Sequence, residues 1–294
     1  MSQICIIIVM VLYLALMLYI GFASNKKGSG KSVDEFYLGN RKIGPLVSAM
    51  SAEASDMSSY LLMGLPGALF TAGLAQSWIA IGLTIGQWCN WKFVAARLRS
   101  FTAGAADALT LPDYLAARFC DRRRITAVVA AFIILIFFVV YCASGMVSGA
   151  RLFEQTFQMD YRNALLIGAM STIFYVFIGG FLAVSWTDTV QATLMLFALF
   201  ITPLVVISDA GGFAAAGELV AGKGPDMSNF LKGTTFIGLL SLAGWGLGYV
   251  GQPHILVRFM AVKSDKELNR AKTFAGAHKK ITGSKYLDKV INID

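Results

Sequence analysis

Seven stretches of this chain are apolar enough and long enough to cross a bilayer. A spanning helix needs about 20 mostly apolar residues. The segments that qualify are 4–24, 46–73, 75–95, 125–148, 163–184, 189–208 and 234–253. In hydrocarbon every backbone N–H and C=O has to be satisfied inside the protein, and helices do this within one segment. The fold class expected is therefore an all-α membrane protein. Composition agrees: 56% of the 294 residues are hydrophobic and 14% are charged, against roughly 25% charged in a soluble domain.

The first run, Ile4 to Ser24, follows no positive leader and exceeds the 7–15 residues of a signal-peptide core. It reads as a membrane helix. The net charge of +8 sits in loops between apolar runs, which is a topology pattern and not a nucleic-acid footprint. Loop 25–45 carries five Lys and Arg, loop 92–124 carries seven, and the segment after 253 carries nine. The opposite side has only Arg151, Arg162, Lys223 and Lys232, so 21 of the 25 lie on one side. The positive-inside rule then predicts an external N-terminus and a cytoplasmic C-terminus in the plasma membrane. Seven spans, an odd number, agree with that. Residues 1–262 form the expected bundle and 263–294 a polar cytoplasmic tail. The four cysteines (Cys5, Cys89, Cys120, Cys142) match no zinc or redox spacing and read as small buried hydrophobes.

Two spans are interrupted. The second contains Ser48-Ala-Met-Ser-Ala-Glu-Ala-Ser-Asp-Met-Ser-Ser-Tyr60, with Glu53, Asp56 and five serines, followed by Gly64, Pro66 and Gly67. Ionisable groups at membrane depth are costly and mark pathways or sites. Irregular backbone is tolerated there only where protein or a cavity surrounds it. Freed carbonyls beside a carboxylate and hydroxyls suit a hard cation such as Na⁺. Close helix packing explains the serines equally well, but it does not explain Asp56. Glu53, three residues earlier, either takes a proton or faces a water-filled vestibule.

The seventh span contains Gly244, Gly246, Gly248 and Gly251 within eight residues. Each glycine costs a helix up to about 1 kcal/mol against alanine, so unwinding is expected there. Trp245 and Tyr249, four apart, share a helical face and predict an aromatic wall for a small ligand. Interfacial anchoring is the plainer alternative. Paired interrupted segments are the sequence pointer to a transporter site. Their separation by five spans suggests a five-helix repeat. Between the third and fourth spans, Thr110 and Pro112 predict the start of a short helix, read as a structural elbow in preference to a phosphate or partner site.

At these residues the chain resembles the sodium:solute symporter family, and within it the branch that carries proline. The matching stretches are Ser55–Gly67, Ala108–Tyr114, Tyr141–Gly145, Gly179–Gln191 and Gly244–His254, within about 35–262. The resemblance implies a LeuT-like inverted-repeat transporter fold, here truncated after the seventh helix. It implies sodium-coupled symport of L-proline into the cell, with Na⁺ as coupling ion, no other cofactor, and the lipid bilayer as surroundings. It assigns the sodium site to the carbonyls of Ala54 and Met57, with Asp56 and Ser58. It assigns substrate contact to Tyr60, Tyr141, Trp245 and Tyr249. Two positions depart from that branch, which carries Trp at Tyr60 and Gly at Glu53. The family's ion site is completed by hydroxyls of a later helix. A symporter for another small solute of the family, a channel or sensor, and a non-transporting fragment are the alternatives. No nucleophile–base arrangement or phosphate loop suggests an enzyme.

Overall fold

The computed structural model describes residues 3–27, 32–57, 60, 64–224, 227–231 and 234–275. Among them the chain is helical without named strands, and Ile43 and Val262 form an isolated parallel bridge. The helices are α1 (Gln3–Lys27), α2 (Val33–Leu38), α3 (Pro45–Asp56), α4 (Leu65–Ala72), α5 (Ser77–Cys89), α6 (Ala95–Ser100), α7 (Leu111–Arg118), α8 (Ile125–Phe157), α9 (Tyr161–Asp209), α10 (Phe213–Ala221), α11 (Phe236–Gly248) and α12 (Pro253–Met260). Of the tail, residues 265–275 are helical and 276–294 lie outside the described residues.

Three described helices are long and apolar enough to cross a membrane by themselves: Cys5–Ser24 within α1, then α8 and α9. Their flanks present large apolar side chains outward, such as Leu12, Phe132, Phe137 and Phe177, the inverse of a water-soluble surface. Three of the four cysteines are exposed and Cys89 is half-buried, which corrects the expectation of buried thiols. Cys5 and Cys142 ride on these outward-facing helices, and Cys120 follows α7.

The expected spans 163–184 and 189–208 both fall in α9. Its 49 residues would extend about 73 Å if straight, against a hydrocarbon core of about 30 Å. The chain departs from helix at Gly180, with φ 55° and ψ −157°. A side chain there would be strained by that φ and would press on Phe36 at 3.2 Å. Helix α9 packs against both α1 and α3. The α1 contact is antiparallel. Gln191 Nε2 donates to the Tyr13 hydroxyl at 2.6 Å, and Gly179 meets Gly21.

The second span breaks between α3 and α4, and α11 ends at Gly248. The glycine cluster does not unwind as expected, because Gly244, Gly246 and Gly248 stay helical and the break comes at 249–252. The physical reason is packing. A Cβ on Gly246 would sit 1.9 Å from the Gly82 carbonyl oxygen, and one on Gly86 would sit 1.9 Å from that of Gly246. Helices α5 and α11 therefore run parallel in backbone contact through small residues. Asn90 Nδ2 donating to the Tyr249 carbonyl (3.0 Å) and Trp78 Nε1 donating to that of Phe230 (3.0 Å) fix the register.

Below the breaks, the starts of α3 and α6 close on α12 around Val47, Ile255, Phe259 and Met260. Trp91 meets Phe259 edge-on at 4.6 Å. Arg99 donates to the carbonyls of Val262 and Lys263 at 2.6 and 2.9 Å. The elbow helix α7 forms as expected. The Thr110 hydroxyl accepts from the Asp113 N–H, and Pro112 lies in the first turn. At the start of α8, Asp121 accepts from the N–H groups of Thr126 and Arg123. These donors, Thr126 above all, hold its carboxyl below the usual carboxylate range.

Candidate functional site

Helix α3 begins at Pro45, whose missing N–H costs nothing at a helix start. It ends at Asp56, and its last hydrogen bond among the described residues is donated by Met57 N–H to the Glu53 carbonyl. The carbonyls from Ala54 to Met57 thus fall where the regular ladder stops. Asp56 sits at this end and lines a cavity of about 80 Å³ together with Tyr60, Leu83, Tyr141, Trp245, Gln252 and His254.

Two aromatic stacks wall the cavity. Tyr60 and Trp245 lie 5.1 Å apart with planes 20° off parallel. Tyr141 and His254 lie 5.4 Å apart, also at 20°. The first stack joins the broken second span to α11, and the second joins α8 to the start of α12. The arrangement offers apolar faces, one carboxylate and a few polar atoms, as expected of a small-solute site.

The structure brings Asp56, Tyr60, Tyr141 and Trp245 together. Ala54 lies two residues before Asp56 and Met57 directly after it on the chain. Ser58 lies outside the described residues. Tyr249 is placed differently from the wall expected of it, because it does not line the cavity. It opens the turn after α11 and is 1% exposed. Glu53 does not face a vestibule. It is 6% exposed, and its carboxylate accepts from Gln87 Nε2 on α5.

Sequence reasoning missed three features. Gln252 and His254 line the cavity, although they entered the sequence reading only as the end of the matching stretch Gly244–His254. Gly82 and Gly86 form a small-xxx-small pair that could have been read from spacing alone. Behind α3 lies a buried ion pair. Arg258 Nη2 donates to Asp188 Oδ2 at 3.1 Å, and Ser51 Oγ donates to the same oxygen at 2.6 Å. Arg258 Nε donates to Ser51 Oγ at 3.2 Å. An acid inside an apolar run was the signal for Asp188. Arg258 was concealed among the loop charges, and without it the count is still 20 to 4.

Residues 36–277 match the sodium:solute symporter family. The chain belongs to that family. It is 56% identical over 260 residues to a sodium/proline symporter of Escherichia coli K12, covering 88% of this chain and 51% of the relative. It is 48% identical over 259 residues to a high-affinity proline transporter of Bacillus subtilis, covering 87% of this chain and 54% of the relative. The chain therefore spans about half the length of these relatives. Its fold matches a solved Na⁺-coupled sialic acid symporter in a substrate-bound outward-open state, with a TM-score of 0.75, 18% identity, and coverage of 92% of this chain and 57% of the other. The LeuT-like helical architecture and the integral membrane character follow.

Proposed function

We infer that this family member serves Na⁺-coupled symport of L-proline into the cell across the plasma membrane, with its N-terminus outside and C-terminus cytoplasmic. The observation that carries this reading is the convergence of Asp56, Tyr60, Tyr141 and Trp245 on one cavity between two broken helices. The similarity to proline carriers supports the choice of substrate. In this reading the carbonyls of Ala54 and Met57, with Asp56 and Ser58, hold Na⁺. The oxygen set and the helix-end carbonyl dipoles suit a hard monovalent cation. Tyr60, Trp245 and Tyr141 cover the pyrrolidine ring, and Tyr249 is buried beside them at the end of α11. Symport requires that ion and solute favour each other's binding, and the factor is the same in both directions.

The test is uptake of labelled proline by proteoliposomes with and without an inward Na⁺ gradient. Uptake is expected to require the gradient, and Asp56→Asn is expected to weaken Na⁺ dependence about tenfold or more, roughly 1.4 kcal/mol. Uptake indifferent to Na⁺ would sink the reading.

A further inference from the structure

Gln252 and His254 each carry a buried polar atom without a hydrogen-bond partner among the described residues, namely Gln252 Oε1 and His254 Nδ1. Both residues line the cavity that holds Asp56. Buried acceptors in native proteins are nearly always satisfied, so two orphans at one cavity point to a donor that arrives with a ligand. Both sit where the chain has left α11 and is starting α12. The α12 N-cap is Gln252 itself, in extended backbone with φ −73° and ψ 113°. The positions are held from outside the cavity: the Arg258 Nη1 donates to the His254 carbonyl at 2.6 Å, and the imidazole is stacked on Tyr141.

A secondary ammonium carries two N–H donors. A neutral imidazole with its proton on Nε2 offers Nδ1 as an acceptor, and an amide oxygen is an acceptor in any state. We propose that Gln252 Oε1 and His254 Nδ1 are the paired acceptors that recognise the secondary ammonium of the transported solute and select it against N-alkylated analogues. This rests on the transport reading above and adds to the aromatic wall two residues that set specificity. The stacked rings cover carbon but cannot count N–H groups. A site built to pair with a donor rejects the analogue lacking it far better than an apolar pocket rejects an added methyl group.

The experiment uses the reconstituted chain in Na⁺ buffer, with tritiated proline as probe and N-methylproline as competitor. The competitor keeps the ring and carboxylate but has one N–H fewer. Wild type is expected to prefer proline by about tenfold. His254→Phe keeps a ring against Tyr141 without Nδ1, and Gln252→Met keeps the length without the amide. Each is expected to weaken proline about tenfold and bring the preference towards unity, while His254→Asn, which restores an acceptor near Nδ1, regains part of it. Every variant is first checked for monodisperse elution. A preference unchanged in both apolar variants overturns the proposal, as does equal weakening of both ligands, which is what loss of mere structural support produces. A wild-type chain that retains no proline overturns the transport reading and this proposal together, whereas the two preceding outcomes leave the transport reading standing.

Discussion

Asp188 and Arg258 are ordinary charged residues on the page of sequence, and their meaning depends on where they are buried. Arg258 is 9% exposed and Asp188 8%. Taking two charges out of water is costly, and the pair holds because Ser51 and the His254 carbonyl complete its hydrogen bonds. Removing one partner strands the other. Arg258→Met is expected to cost about 3–5 kcal/mol, and adding Asp188→Leu should recover most of that loss. Thermal and denaturant unfolding of the single and double variants in detergent checks this as a double-mutant cycle. Additive losses would show that the pair is uncoupled. Glu53 teaches the same lesson. Its position beside Asp56 was legible as two close carboxylates, but its partner, Gln87, lies 34 residues away and no local pattern announces it.

At the scale of elements, the breaks were legible and their limits were not. Ser, Gly and Pro marked the second span, and α3 does stop at Asp56. In the seventh span propensity predicted unwinding at Gly244–Gly248, yet α11 runs through them, because a glycine that lets two backbones touch gains more from packing than it loses in propensity. The α5–α11 contact is therefore intolerant of any side chain. Gly246→Ala is expected to force the helices apart at a cost of about 3 kcal/mol or more, read as lost thermal stability. Gly244→Ala, whose Cβ meets nothing within 4 Å, should be neutral or slightly stabilising. Equal behaviour of the two variants would refute the packing argument.

For the whole molecule, the asymmetry of basic residues predicts orientation. A fluorescent protein fused after Asp294 is expected to fold and emit in the cytoplasm, and a phosphatase reporter fused there to stay inactive. The opposite result would reverse the topology. One side of the bundle is knit together by contacts far apart in sequence: the Ile43–Val262 bridge, Arg99 on the carbonyls of residues 262 and 263, and the Arg258–Asp188 pair. They tie α12 and the segment after it to the chain just before α3, to α6 and to α9.

The amino-acid sequence by itself determined that this chain is helical and lies in a membrane, because apolar run length and backbone satisfaction in hydrocarbon are local properties. It also determined where the second span breaks, because Asp56 and its neighbouring serines, glycines and proline are local. Tertiary structure alone decided that Trp245 stacks on Tyr60 while Tyr249, one turn away, is buried outside the cavity lining. It alone decided that Glu53 answers to Gln87, that the glycines of α11 serve contact and not unwinding, and that Gln252 and His254 enter the cavity. Each of these depends on which distant helix supplies the neighbouring surface, and periodicity within one segment carries no information about that.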